Sequence, residues 1–171
     1  MARAREESGS MVVHSSVDKI YTQLQMPTRC RLLYVVGQLG LGGLERQLVY
    51  LLANLDHARY YPAVVVWNLN CNDKYYKDIE TLKMPLYGFP PEWSPLFKLK
   101  TLRALTRQLK PEVIHSYGFY TNFAAAYAAG ATKTLAIGSR RSEYNPHKRR
   151  RGGVNRLLNA KWPAFHIVNS T

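Results

Sequence analysis

A chain of 171 residues is long enough for one domain with a real core, burying roughly two-thirds of the surface its unfolded form exposes. It carries 24 Lys and Arg against 11 Asp and Glu, a formal charge of +13, with only 2 Cys. So few acids assemble neither paired carboxylates nor a Ser-His-Asp order for a hydrolase, and no apolar run approaches the ~18 residues of a membrane helix.

Charge is uneven along the chain. Residues 1–90 hold 10 basic against 8 acidic side chains, whereas residues 91–171 hold 14 against 3. Such asymmetry speaks of partners rather than fold, and nucleic acid, an anionic membrane surface or a phosphorylated substrate would each suit it.

Met1 to Thr28 has no convincing period and is rich in Ser and charge, the composition of a disordered tail in which Val17 to Leu24 has room for a helical turn or two. Met1 to Arg5 is basic, but no apolar segment follows it as a secretory signal requires. Arg31 to Val36 (RLLYVV) then reads as a buried parallel strand. Seven residues with glycines at 37, 40, 42 and 43 follow, and Leu44, Leu48, Leu51, Leu52 and Leu55 mark one face of a helix. Strand, glycine loop and helix start form the first half of a βαβ unit, in which the N–H groups of the helix start face the crevice above the strand ends. A tight turn without a ligand would use the same loop.

Two phosphate-loop fingerprints fail here. The P-loop needs Lys and then Ser or Thr after its last glycine, but Leu44 and Glu45 follow Gly43. In the dinucleotide pattern Glu45 stands where the third glycine belongs, and Trp67, Asn68 and Leu69 supply no acid for a ribose. NAD and ATP are thereby disfavoured, and no cofactor is expected.

Pro62 to Trp67 is a second strand, Asn68 to Thr81 is polar and loop-like, and Pro85 to Phe89 is a weak third strand whose Pro and Gly suit an edge. Cys30 precedes the first strand and Cys71 follows the second; as parallel neighbours these strands hold the thiols ~20 Å apart, which excludes a disulfide. Two lone Cys without His spacing make no zinc site, so no metal is expected, and a reduced cytoplasmic protein is the natural reading.

Leu96 to Lys110 is an amphipathic helix with Leu at 96, 99, 102, 105 and 109 and a basic opposite face of Lys98, Lys100, Arg103, Arg107 and Lys110. Glu112 to Ser116 is a fourth strand. Phe119 to Ala129 is an Ala-rich helix with Gly130 as its C′ cap. Thr134 to Ser139 is a fifth strand, Arg140 to Arg151 a basic loop, Asn155 to Lys161 a short helix and Phe165 to Asn169 a sixth strand. The pattern predicts a single-domain α/β fold, a Rossmann-like doubly wound parallel sheet of order 3-2-1-4-5-6 with the weak third strand on an edge.

In such a sheet ligands bind beyond the carboxyl ends of the strands at the switch point between strands one and four. The Gly37–Gly43 loop is at one of those ends and His115, Ser116 and Tyr117 are at the other, while Arg140, Arg141 and Glu143 follow strand five. His14, His57, His147 and His166 have no partners in the sequence and read as structural or solvated.

G-G-L-E-R at 42–46, opening a Leu-striped helix, resembles the G-G-x-E-R of family-four glycosyltransferases. K-P-E-V-I-H-S at 110–116, followed by Asn122 and an Ala-rich helix, is similar to their K-P-D-V-V-H-x-H, and S-R-R at 139–141 and F-H-I-V-N-S at 165–170 match in order and spacing. The likeness covers about residues 30–171. It implies that residues 29–171 are the N-terminal, acceptor-side domain of a retaining GT-B enzyme, which takes a nucleotide-sugar donor and a glycosyl acceptor, such as a lipid-linked one or a polysaccharide precursor. It further implies Gly42, Gly43 and Glu45 near the donor diphosphate, Asn122, Arg140, Arg141 and Glu143 as substrate-binding, and a position in the cytoplasm or on the inner face of the membrane. The family's catalytic-site histidine is the second of H-x-H, where this chain has Tyr117; His115 matches the first, so these two are the catalytic candidates. The family's second, donor-binding domain has no counterpart here, which predicts an inactive chain on its own. The alternative from another class is a non-catalytic basic module for phosphorylated or polyanionic partners, with nucleic acid disfavoured by the lack of interleaved aromatics.

Overall fold

The computed structural model describes residues 29–130, 132–140 and 153–168. Six strands, β1 (Cys30–Val36), β2 (Tyr60–Val66), β3 (Leu86–Gly88), β4 (Val113–Ser116), β5 (Leu135–Arg140) and β6 (Phe165–Val168), form one parallel sheet of order β3-β2-β1-β4-β5-β6. The helices are α1 (Gly43–Ala53), α2 (Tyr76–Thr81), α3 (Pro95–Leu109), α4 (Asn122–Ala129) and α5 (Gly153–Lys161), with a 3₁₀ turn at Phe119–Thr121 leading into α4. The doubly wound order is the one expected, and the three-residue β3 sits on an edge.

The central strands are apolar on both faces because both faces are covered. Tyr34, Val36, Val64 and Val66 pack with Leu39, Leu48, Leu52 and Ile79 on the side of α1 and α2. Leu33, Val35, Ala63, Val65 and Ile114 pack with Leu102 of α3 and the alanines of α4 on the other. Alanine at 124, 125, 128 and 129 lets α4 lie close to the sheet and to α3. At the N-terminal ends of the strands Arg31 clamps β1 to β4: its Nη2 lies 2.6 Å from Glu112 Oε1, its own N–H donates to Glu112 Oε2 at 2.7 Å, and its Nε donates to the Lys110 carbonyl at 2.8 Å.

Three local expectations are corrected. The polar stretch after β2 contains α2, six residues long and anchored by the single buried Ile79. Gly130 caps α4 in the right-handed region, φ −61°, with its N–H on the Ala126 carbonyl, so no left-handed cap is formed there. The basic face of α3 is not one face. Lys98 is buried at 2% exposure, donating from Nζ to Asn68 Oδ1 at 2.6 Å and to the Pro91 carbonyl at 3.3 Å. Arg103 is half-buried, its guanidinium 5.0 Å from the centre of the Tyr127 ring. Burial also lowers the Lys98 pKa, opposed by the nearby Glu92 carboxylate. Cys30, at the start of β1, and Cys71, in the turn between β2 and α2, are free thiols.

Candidate functional site at the carboxyl ends of β1 and β4

The strand order reverses between β1 and β4, and the crevice above that point is bounded by the glycine loop on one side and the turn after β4 on the other. Leu39 pins the loop from within: it is fully buried, its N–H donates to Asp73 Oδ2 at 2.9 Å, and its carbonyl accepts from the Tyr75 N–H at 3.0 Å. Beyond it Leu41 stands 87% exposed at the tip. Gly42 is the N-cap of α1 in an extended conformation, with no side chain capping the helix, and its carbonyl accepts from Arg46.

The four glycines are not equivalent. At Gly42 an added β-carbon would run into the Glu45 carboxylate, which folds back over the helix start. At Gly37 and Gly43 it would meet nothing within 4 Å, and neither residue has a positive φ. Neither backbone conformation nor packing therefore demands glycine at 37 or 43. The bare backbone there leaves room for something outside the fold.

The opposite wall is built from β4 and the turn that follows. Ser116 Oγ donates to the Gly118 carbonyl at 2.8 Å and lies 2.7 Å from Thr121 Oγ1, which also reaches the Val35 carbonyl at 3.3 Å. This closed set of hydroxyls holds the turn against β1 and brings Gly118 opposite Leu44, where a β-carbon would sit 3.9 Å from Leu44 Cδ1. Tyr120 projects outward from the turn, 80% exposed.

The predicted residues separate into groups. Tyr117 is 2% exposed and belongs to the core beneath the glycine loop, its ring 6.2 Å from Tyr34 and 5.6 Å from His115. His115 is half-buried, with Nε2 3.0 Å from Ser139 Oγ, a contact that ties β4 to β5. Asn122 is fully buried: Nδ2 donates to the carbonyls of Ser139 and Asn159 at 3.2 Å each, and Oδ1 accepts from the Ser139 N–H at 3.1 Å. Its amide joins α4, β5 and α5. Arg140 is exposed at the end of β5, donating to the Ala160 carbonyl at 2.7 Å. Gly42, Gly43 and Glu45 line the crevice, while Arg141 and Glu143 lie outside the described residues. His166 is half-buried with its Nε2 unpaired, and burial together with Arg140 lowers its pKa.

Sequence reasoning missed Asp73, Thr121, Ser139 and Asn159, which organise the two walls. Asn159 Oδ1 accepts from the Phe123 N–H at 2.8 Å, a contact across 36 residues that leaves no local signal. Among the described residues no group of acids, His and Cys could hold a metal ion, and no helix is long and apolar enough to cross a membrane.

A parallel six-stranded sheet with helices on both faces and a glycine loop at its switch point is an α/β Rossmann-like domain, the architecture of one half of a GT-B glycosyltransferase. Among solved structures the chain is similar to MurG of Acinetobacter baumannii, a GT-B glycosyltransferase, with a TM-score of 0.56 at 10% identity. The match covers 81% of this chain and 41% of MurG, so the chain spans less than half of that protein's length. At that identity the likeness is one of fold, and MurG's own family is not family four, so the finer family assignment gains nothing from it. No protein-family model and no curated protein matches the chain.

Proposed function

We propose that this domain is the acceptor-side half of a retaining glycosyltransferase, with the crevice between the glycine loop and the turn after β4 as its substrate site. The observation that carries the reading is the bare backbone at Gly37 and Gly43, which neither φ nor packing accounts for. A sugar or phosphate oxygen approaching the first N–H groups of α1 needs that space. Glu45, folded over Gly42, is the side chain placed to accept a sugar hydroxyl. His115 and Tyr117 act from below, fixing the strand ends beneath the loop rather than reaching into the crevice. The donor is a nucleotide-sugar and the acceptor a lipid-linked glycan precursor, for which an anionic membrane surface and the basic second half of the chain are compatible partners. The fold similarity to MurG supports a GT-B context, and the ordered motifs 42–46 and 110–116 support a family-four enzyme.

Gly43→Val tests the site, because a β-carbon at this position meets nothing within 4 Å. Binding of a panel of nucleotide-sugars and polyprenyl-linked acceptor analogues is followed by the chemical shifts of the wild-type chain. The expected result is that the class which binds perturbs the loop and loses roughly tenfold or more in affinity in Gly43→Val, with an unchanged circular dichroism spectrum. Equal affinity in the variant would mean that the loop is only a turn.

A further inference from the structure

Stability alone does not call for an ammonium at position 98. Lys98 is 2% exposed, and among the described residues no carboxylate lies within ion-pair distance of it. Glu92 is the acid whose charge reaches it. Desolvating a charge is costly when no opposite charge is paired with it, and a methionine would fill similar space without that cost. Two acceptors meet the ammonium, Asn68 Oδ1 at 2.6 Å and the Pro91 carbonyl at 3.3 Å, with the centre of the Trp67 ring 5.9 Å away. The bond to Asn68 settles which way that amide faces. An ammonium only donates, so Oδ1 turns toward it and the hydrogens of Nδ2 turn away. Asn68 is itself exposed, just past the end of β2, and its N–H donates to the Gly37 carbonyl at 2.9 Å. Its Nδ2 has no partner among the described residues.

We propose that Asn68 is a ligand-binding residue on the β2 side of the glycine loop, its Nδ2 donating to a phosphate or carboxylate oxygen, and that Lys98 is the residue that positions it. This rests on the crevice being a substrate site, and it names the charge of the group held at one side of that site. Through its backbone Asn68 is tied to Gly37, the first residue of the loop, where a β-carbon would meet nothing within 4 Å. The amide thus stands beside the open backbone that a ligand would occupy. Its outward end only donates, which suits an oxygen that only accepts. The ammonium on Oδ1 polarises the amide and strengthens Nδ2 as a donor. A donor of that kind bonds an anionic oxygen about twice as strongly as a neutral one. The acid that a dinucleotide fold carries at the end of its second strand, to accept from a ribose hydroxyl, has the opposite polarity.

Backbone and side-chain amide shifts of the 171-residue chain are followed as inorganic pyrophosphate, glucuronate or uncharged methyl glucoside is added. The two anions distinguish a phosphate source from a carboxylate source. At least one of them is expected to move the Asn68 side-chain resonances together with the Gly37 amide, and the glucoside to move neither. Asn68→Asp keeps the shape and gives Lys98 an ion pair, so the melting temperature holds or rises while anion affinity falls roughly tenfold or more. A purely structural Asn68 would lose no affinity in that variant. Lys98→Met lowers affinity severalfold alone and little further when added to Asn68→Ala, because it acts through the amide. Asn68 is exposed, so its variants decide the question whatever Lys98→Met does to the fold. Anion binding that Asn68→Asp leaves unchanged would overturn the proposal, as would anions that leave the Asn68 side chain unmoved. Affinity lost in Gly43→Val but kept in Asn68→Asp strikes Asn68 and leaves the crevice standing as the substrate site. Affinity lost in Asn68→Asp but kept in Gly43→Val upholds Asn68 and confines the failure to the loop.

Discussion

Tyr34 and Lys98 show how burial acts on single ionisable groups in this sheet. Tyr34 is 6% exposed under the glycine loop, and desolvation first, with smaller contributions from Tyr117, Tyr60 and Cys30, pushes its phenol up to about 12. The folded chain therefore keeps a proton that the unfolded chain releases near 10. The stability this group contributes is complete below pH 10 and is lost as pH rises through about 12. Tyr34→Phe removes the ionisation, so its denaturant midpoint should fall less between pH 9 and 11 than that of the wild type; equal falls would assign the alkaline loss to other groups. Lys98 carries the complementary lesson about legibility. The Leu spacing of α3 places the buried stripe through 99, 102, 105 and 109, whereas the fully buried line runs through Lys98, Leu102 and Thr106. A lysine reads as solvated in any pattern of residue types. Here its long stem carries the ammonium along apolar surface to Asn68 and Pro91, acceptors whose positions no helical wheel contains.

At the scale of elements, α3 begins well and ends under strain. Ser94 Oγ accepts from the Phe97 N–H at 3.3 Å and Pro95 takes the first helical position, both good starts. The helix ends on Lys110 in the left-handed region, φ 48° and ψ 53°, which is costly for a residue with a β-carbon. The carbonyl of Lys110 accepts from Arg31, and its N–H bonds Thr106; both are backbone groups that any residue supplies. Lys110→Gly should therefore raise stability by about 0.5–1 kcal/mol, seen as a higher melting temperature, since relief of the left-handed strain exceeds the extra entropy of the unfolded glycine. An unchanged or lower melting temperature would show that the lysine side chain stabilises the cap. The elements themselves were legible where a period was long: Leu44 to Leu52 for α1, and the apolar runs of β1 and β2. α2 was not, because six residues with one buried side chain, Ile79, set up no period at all. The candidate site was half legible for the same reason. The glycine loop announces itself where a strand period turns into a helix period, but the Asp73 and Tyr75 contacts that fix its shape lie more than thirty positions away.

For the molecule as a whole, charge is the property that the fold leaves over. On α3 the structure takes Lys98 and Arg103 into contact with the domain and leaves Lys100, Arg107 and Lys110 exposed. Each cation near an anionic bilayer surface is worth about 1 kcal/mol, so these three with Arg140 are expected to give weak adhesion. Adhesion of this kind depends on ionic strength. Co-sedimentation with vesicles containing anionic lipid should be strong in low salt and fall steeply toward ~0.5 M, because surface charges are then screened within a few ångströms. Lys100→Glu with Arg107→Glu should weaken it severalfold, whereas Lys98→Met should leave it nearly unchanged, since that ammonium already serves Asn68 and Pro91 inside the domain. The comparison of the two variants separates a built surface from bulk charge. Equal binding to neutral vesicles, or equal losses in Lys98→Met and in the exposed pair, would rule out adhesion through the exposed cations of α3.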